Sequence, residues 1–214
     1  MSTLTEISEA MQKGRAKLIK TLVPQALEEG IPAQEILQDG LLAGMDVVGR
    51  KFKANEIFVP EVLVAARAMN VGAELLKPYL SEAGVEPKGK VILGTVKGDL
   101  HDIGKNLVAL MMRSANLEVI DLGSNVDGAK FIDAINKYNP DVIGLSALLT
   151  TTMNEQGHII QQLTDAGVRD KVKVMVGGAP VTQMWADKIG ADAFTADAAE
   201  AAQWAKAYAA SKGA

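Results

Sequence analysis

Apolar residues in the first part of the chain recur at helical spacing, with polar residues between them. Intervals of three and four residues mark one helix face, formed by Leu37, Leu41, Met45, Val48 and Phe52. Similar patterns precede and follow this face. We expect a kink or a restart at Pro24, and Pro60 suits the first turn of a helix. The pattern predicts a small bundle of about four helices over residues 1–80.

Three glycines interrupt the helix that carries this face: Gly40, Gly44 and Gly49. Glycine lowers helix propensity by roughly 1 kcal/mol relative to alanine. Three glycines in one helix indicate that the missing side chains leave room for a neighbouring group. We therefore predict the close approach of another helix, or of a ligand, at these positions.

The pattern changes after the polar segment 81–89, which we interpret as a linker. Short runs rich in Val and Ile then alternate with helical patterns. The predicted strands are "VILGTV", "LEVIDL", "DVIGLSAL", "VKVMVGG" and "ADAFTA". The predicted helices start near Ile103, Gly128, Thr152, Val181 and Asp197. This alternation predicts an α/β domain over residues 90–214, with a flavodoxin-like, parallel, five-stranded sheet.

Unusual residues cluster where three of these strands end. "GDLHDIG" follows the first strand, "SALLTTT" the third and "GGAP" the fourth. Ligands of open parallel sheets bind outside the carboxyl ends of the strands. With the strand order 2-1-3-4-5 the first two clusters face each other, and the third lies beside them. We expect one site there.

Composition excludes several classes of site and partner. The chain has no cysteine, which rules out disulfides, thiolate zinc sites and cysteine nucleophiles. The net charge is −4 and no stretch is dense in Lys and Arg, so we expect no nucleic-acid partner. No apolar run approaches the ~20 residues of a membrane span, and the N-terminus has no signal-peptide pattern. We expect a soluble, cytoplasmic protein.

The loop after the first strand is similar to two known motifs but matches neither. Five residues separate Gly98 from Gly104, where a P-loop has four, and Asn106 replaces the Mg²⁺-binding hydroxyl. The dinucleotide-binding GxGxxG pattern is absent. Zinc is disfavoured because the other histidine, His158, lies on a different predicted helix.

The most informative residue of this loop is His101, which follows Asp99 by two positions. A carboxylate bonded to one imidazole nitrogen fixes the tautomer and raises the basicity of the other, as is typical of metal-ligating histidines. One protein ligand suffices only if a macrocycle supplies the equatorial ligands. The alternatives are a solvated loop histidine and, for Asp99, a cap of the following helix.

These residues resemble a known family. "GDLHDIG" resembles the Asp-x-His-x-x-Gly signature of cobalamin-binding domains, "SAL" their Ser-x-Leu and "GG" their paired glycines. Residues 44–69 resemble the helical cap of methionine synthase and of small methyltransferase corrinoid proteins. The resemblance runs from about Leu18 to Ala193, and it makes the bundle 1–80 a cap domain.

The resemblance implies cobalamin in the base-off, His-on form. His101 is then the lower axial ligand of cobalt and replaces the cofactor's own nucleotide base. Asp99 bonds the other nitrogen of His101, and Thr152 supplies the hydroxyl that closes this relay. Methionine synthase has Ser there, and the three consecutive threonines leave the assignment open.

The resemblance also implies residues that contact the rest of the cofactor. Three residues would contact the cofactor: Ser146, Leu148 and Thr150. The first two would line the pocket for the detached nucleotide tail. Glycines would let the backbone approach that tail, and Phe58 would cover the upper face of the corrin. The glycines are Gly104, Gly177 and Gly178. The paired glycines are alternatively an ordinary turn, and Phe58 a core residue.

The function implied is a corrinoid protein that carries a methyl group on cobalt. The partners implied are a substrate-specific methyltransferase, an acceptor methyltransferase using tetrahydrofolate or a thiol, and a reductive activase for Co(II). The alternative is a cobalamin-binding sensor, although no basic helix-turn-helix pattern is present. Two further alternatives are the small subunit of a carbon-skeleton mutase and a flavodoxin-like module without cobalamin.

Overall fold

The computed structural model describes residues 2–82 and 87–212. It divides into two compact units, Met1–Pro87 with Ser114–Asn116, and Lys88–Arg113 with Leu117–Ala214. Part of the predicted linker 81–89 lies outside the described residues. The boundaries 1–80 and 90–214 remain predictions. Within the described ranges, no helix combines the length and apolarity that crossing a bilayer requires.

The first unit is helical. Its helices are α1 (Thr3–Gln12), α2 (Ala16–Glu28), α3 (Ala33–Glu35), α4 (Ala43–Lys53) and α5 (Val59–Glu82). A π-helical segment, Ile36–Leu42, joins α3 to α4 without a break, so the described part of this unit forms four helical rods. The predicted bundle is confirmed. Pro24 lies inside α2, and Pro60 lies in the first turn of α5.

Two of the three glycines in the third rod lie against α1. A Cβ atom at Gly40 would lie 2.9 Å from Cγ2 of Ile7, and one at Gly44 would lie 2.7 Å from Cβ of Met11. Both distances are shorter than packed carbon atoms tolerate. The predicted close approach of another helix is confirmed at these two positions. Gly49 is also buried.

The second unit contains a parallel sheet. Its strands are β1 (Lys90–Thr95), β2 (Glu118–Asp121), β3 (Val142–Ser146), β4 (Lys173–Gly177) and β5 (Ala193–Phe194). Their order is β2-β1-β3-β4-β5, which confirms the flavodoxin-like topology. Thr95 pairs with Ser146, and Ser146 pairs with Gly177. The carboxyl ends of β1, β3 and β4 are therefore level, and the three clusters that follow them meet at one edge.

The connecting helices bury apolar faces against this sheet. They are α6 (Ile103–Ser114), α7 (Gly128–Tyr138), α8 (Thr150–Asp165), α9 (Gln183–Ile189) and α10 (Ala198–Lys212), with a short 3₁₀ turn at Arg169–Lys171. Phe131 of α7 and Leu163 of α8 pack in one core with Ile143 of β3. Helices α6 and α7 begin where predicted. Helix α8 begins two residues earlier, at Thr150, and α9 two residues later, because Thr182 caps it by accepting from the backbone N–H of Trp185.

Candidate functional site

The loop after β1 folds back on its own carboxylate. Asp99 is fully buried, and its Oδ1 lies 2.7 Å from Nδ1 of His101 and accepts the backbone N–H of His101 at 3.0 Å. The His101 side chain is 51% exposed. Because Asp99 engages Nδ1, the neutral ring keeps its proton there and Nε2 carries the lone pair. Nε2 is the nitrogen available to a ligand.

The second oxygen of Asp99 reaches the loop after β3. Oδ2 accepts the backbone N–H of Leu148 at 2.8 Å and that of Leu149 at 3.4 Å. It also accepts the Thr152 hydroxyl at 2.7 Å. These contacts join His101, Asp99 and Thr152 into one hydrogen-bonded chain. None of the hydrogen bonds described for Asp99 comes from the first turn of α6, so the alternative of a helix cap is wrong.

The three consecutive threonines at the start of α8 differ in burial. Thr152 is buried, whereas Thr150 and Thr151 are exposed. The Thr152 hydroxyl also lies 3.1 Å from the carbonyl oxygen of Leu149, which precedes the helix. A hydroxyl has one proton, so it donates to one acceptor at a time. The ionised carboxylate of Asp99 is the stronger and nearer of the two.

The surroundings of Asp99 keep it ionised. Burial by itself raises the pKa of its carboxyl group. Four hydrogen bonds outweigh that effect, from the Thr152 hydroxyl, the backbone N–H groups of His101 and Leu148, and the His101 ring. Together they hold the pKa of Asp99 well below its ordinary value. The carboxylate is therefore a permanent acceptor for the Nδ1 proton of His101.

Large apolar side chains are exposed in the same two loops and at the first residue of α6. Leu100 is 73% exposed and Ile103 is 83% exposed, and Leu148 and Leu149 are also exposed. Apart from its chain neighbours and the backbone of its own helix, Gly104 has no atom within 4 Å of where a Cβ would be, so the space beside it is open. A half-exposed imidazole among apolar side chains fits a macrocycle that carries its own metal. Among the described residues no group of three His, Cys, Asp or Glu side chains could hold a bare ion.

The paired glycines have neighbours within the protein. A Cβ at Gly178 would overlap the carbonyl oxygen of Ala147, and Gly178 has φ +126°, which disfavours other residues. A Cβ at Gly177 would lie 3.3 Å from the carbonyl oxygen of Thr195. Local packing is thus sufficient to require Gly178, whereas at Gly177 a side chain would be tight but would need a shift of only a few tenths of an ångström. Contact of these glycines with a cofactor tail stays a prediction, as does contact of Ser146 and Thr150 with the cofactor.

Phe58 belongs to the first unit and directly precedes α5. Its side chain is 64% exposed, so the alternative that it is a core residue is wrong. Its backbone N–H donates to Oε2 of Glu61 at 3.0 Å, which caps the start of the helix. This exposure leaves Phe58 free to cover a bound group, and that role stays a prediction.

Two buried polar residues near the site were given no role from the sequence. Lys105 has Nζ 2.5 Å from Oδ2 of Asp121 and 2.8 Å from Oδ1 of Asn106, which ties the start of α6 to the end of β2. Gln156 donates to the carbonyl oxygens of Leu145 and Gly177. Gln156 lies one turn after Thr152, and that spacing could have placed it on the same buried face.

Gln156 also connects the two strand ends to α9. Its Oε1 accepts the indole N–H of Trp185 at 3.1 Å. Its side chain is fully buried, and all its hydrogen-bonding groups have partners in the protein. Gln156 therefore fixes the ends of β3 and β4 from beneath the loops that carry Leu148 and Gly178.

Two protein-family models match the chain. A model described as "B12 binding domain" matches residues 89–204, and a second model with the same description matches residues 3–77. The first match contains the loops after β1, β3 and β4. The second lies within the helical unit, including Phe58.

Several proteins of similar sequence have names that refer to corrinoids. The chain is 41% identical over 208 residues to a corrinoid protein of Desulfitobacterium hafniense (strain Y51), with 96% of each chain covered. It is 45% identical over 204 residues to the dimethylamine corrinoid protein of Methanosarcina barkeri, with 95% of each chain covered. A chain of the methanol:cobalamin methyltransferase complex MtaBC from Methanosarcina barkeri has a similar structure. The TM-score is 0.85 and the identity 31%, and the match covers 97% of this chain and 80% of that one.

Proposed function

This chain belongs to the B12-binding corrinoid proteins of methyltransferase systems, and we propose that it carries a methyl group on cobalt between two enzymes. A substrate-specific methyltransferase supplies the methyl group. A second methyltransferase passes it to tetrahydrofolate or a thiol. Bound cobamide supplies the cobalt that accepts and releases the methyl group.

The hydrogen-bonded chain from His101 through Asp99 to Thr152 is the observation that carries this proposal. It presents one oriented imidazole nitrogen at the carboxyl edge of a parallel sheet, where ligands of such sheets bind. The exposed Leu100 and Ile103 flank His101 in sequence and offer apolar surface to a large ring. We further propose the base-off, His-on state, with Nε2 of His101 as the axial ligand.

The chain's own residues control a proton at His101. Asp99 holds the Nδ1 proton, so Nε2 is free to ligate. Thr152 and the N–H of Leu148 keep Oδ2 of Asp99 in place. The tautomer and orientation of the His101 ring are therefore set before a ligand reaches Nε2.

The partners follow from this role and from the names of the relatives. One relative is a dimethylamine corrinoid protein, and a chain of similar structure comes from a methanol:cobalamin methyltransferase complex. We propose a methyltransferase for a small methylated substrate as the donor enzyme. The acceptor methyltransferase and a reductive activase that reduces Co(II) complete the set.

Spectroscopy of reconstituted protein tests the ligand assignment. We expect the chain to bind one cobamide when mixed with hydroxocobalamin, and the Co(II) form to show nitrogen hyperfine splitting from imidazole in electron paramagnetic resonance. His101→Ala should abolish that splitting. His158→Ala is the matched control, because His158 is an exposed histidine on α8. A splitting that persists in His101→Ala and still changes when the protein's histidines carry nitrogen-15 would rule out His101 as the ligand, whereas a splitting that the label does not change comes from the cofactor's own base.

Methyl transfer needs its own experiment. The reduced holoprotein is incubated with a radiolabelled methyl donor and a candidate donor methyltransferase, and label recovered with the corrinoid protein is measured. Label should transfer from a matching pair and then pass to an acceptor on addition of the second enzyme. Cobamide binding without label transfer from any of the methylamine, methanol or methoxyl systems would favour a sensor.

A further inference from the structure

The loop that carries His101 is held by hydrogen bonds outside the Asp99 relay. The Thr95 hydroxyl donates to the carbonyl oxygen of His101 at 3.0 Å. Thr95 is the last residue of β1 and is fully buried. A strand of the central sheet therefore fixes the backbone of the proposed ligand directly.

A second residue holds the loop from the segment that follows the neighbouring strand. Asn125 follows β2, and its Oδ1 accepts the backbone N–H of Gly98 at 2.8 Å. Its own backbone N–H donates to the carbonyl oxygen of Asp99 at 2.9 Å. Asn125 thus contacts both residues of the Gly98–Asp99 pair. Its φ of +54° is a left-handed conformation that asparagine adopts more readily than most residues.

These contacts restrain the loop at a glycine. Gly98 has φ +80° and no side chain, so its backbone has many accessible conformations. Asp99 orients the His101 ring relative to the loop, but it cannot hold a ligand in place if the loop itself moves. The distance between a ligand and a bound metal tolerates little variation. The position of the loop must therefore be fixed independently.

We propose that Thr95 and Asn125 are positioning residues that fix the backbone of the His101 loop for cobalt ligation. The proposal rests on the proposed function. Neither residue's described hydrogen bonds involve the imidazole ring or the Asp99 carboxylate. They act through the backbone of residues 98–101.

The chain offers variants that remove one hydrogen bond at a time. Thr95→Val keeps the shape and loses the hydroxyl, and Thr95→Ser restores it. Asn125→Gly keeps the left-handed backbone and its N–H donor but loses the acceptor for Gly98, and Asn125→Asp restores an acceptor. Asn139→Gly is the matched control, because Asn139 also has positive φ, at the end of α7.

The first measurement uses the protein without cofactor. The chain has only two histidines, so nitrogen-15 spectra of the imidazole rings give two sets of signals. Wild-type His101 should show one tautomer, with the proton on Nδ1. In Thr95→Val and Asn125→Gly the population of other states should rise about five-fold, the effect of losing one hydrogen bond of about 1 kcal/mol. His158 serves as the internal control, and Thr95→Ser, Asn125→Asp and Asn139→Gly should resemble wild type.

The second measurement uses the Co(II) holoprotein. The fraction of bound cobalt without imidazole splitting should rise by the same factor in Thr95→Val and Asn125→Gly. A merely structural role would lower the melting temperature and the amount of cobamide bound, but leave the splitting of the bound fraction unchanged. That result, with unchanged His101 tautomers, would overturn the proposal. Absence of imidazole splitting in wild-type protein would instead overturn the proposed ligation by His101, the part of the proposed function on which this inference depends.

Discussion

The Thr152 hydroxyl donates to Oδ2 of Asp99 at 2.7 Å, although the two residues are 53 positions apart in the sequence. This bond links the start of α8 to the loop after β1. The Thr152 hydroxyl is also one of the donors that keep the fully buried carboxylate of Asp99 ionised. The relay therefore depends on the relative position of two strand ends, which the sheet sets.

Removing the Thr152 hydroxyl should destabilise the protein. Hydrogen bonds to charged groups contribute about 1.5–3 kcal/mol, so we expect Thr152→Val to lower the free energy of unfolding by about that amount. Thr152→Ser keeps the hydroxyl and should cost much less. Urea denaturation of cofactor-free protein measures both. Thr151→Val is the control because Thr151 is exposed. Equal losses at positions 151 and 152 would contradict the assignment of the relay to Thr152.

The low pKa of Asp99 predicts a specific dependence of stability on pH. An aspartate in the unfolded chain has a pKa of about 3.9, so below about pH 4 the unfolded state takes up a proton that the native state does not. The unfolded state then binds more protons, and stability falls as the pH falls. This contribution is complete above about pH 4 and is lost as the pH falls toward the native pKa.

Comparing Asp99→Asn with wild type isolates this contribution. Between about pH 4 and pH 2 the stability of wild type should fall more steeply, by up to about 1.4 kcal/mol per pH unit. Asp192→Asn is a positive control. Burial opposes a low pKa for Asp192, but hydrogen bonds from Lys173, the backbone of Val174 and Arg169 lower it. Urea denaturation across this pH range measures the slopes. Parallel curves for wild type and Asp99→Asn would refute the prediction.

Two glycines of the proposed cofactor surface should respond differently to alanine. In Gly178→Ala the new Cβ overlaps the carbonyl oxygen of Ala147 and φ is unfavourable, so the cost should be roughly 3 kcal/mol or more. Gly104→Ala places its Cβ in open space on a helix, so the stability of cofactor-free protein should stay the same or rise slightly.

Cobamide binding completes this comparison. If the backbone at Gly104 approaches the cofactor, Gly104→Ala should weaken binding while the melting temperature of the cofactor-free protein is unchanged. Spectrophotometric titration with hydroxocobalamin measures the affinity. Wild-type affinity in Gly104→Ala would remove Gly104 from the cofactor surface without affecting the assignment of His101.

Replacing the buried Gln156 with an apolar residue should lower the stability of the protein. Gln156→Leu leaves the indole N–H of Trp185 and the additional acceptor sites on Leu145 and Gly177 unpaired in a buried region. A buried unsatisfied group costs about 1–3 kcal/mol, so we expect a loss of at least about 2 kcal/mol. Gln161→Leu, at an exposed position of the same helix, is the control. Thermal denaturation of both variants checks the difference, and equal melting temperatures would contradict it.

The sequence by itself determined the strands, their alternation with helices and the clusters at the strand ends. Hydrophobic periodicity depends on side chains that are near in the chain, and the rules for parallel connections restrict the topology. The pairing of Asp99 with His101 was also predictable, because only one residue separates them and a carboxylate reaches an imidazole over that distance. The carboxyl edge as the site followed from the strand order.

Only the tertiary structure decided which distant groups complete the site. The sequence predicted a start of α8 near Thr152, whereas the helix begins at Thr150, and this start determines which threonine is buried against Asp99. Asn125 and Gln156 have no local pattern that identifies their partners, since these lie on other strands and loops. A hydrogen bond between separate segments requires both atoms within about 3 Å, and that distance is set by how strands and helices pack rather than by their order along the chain.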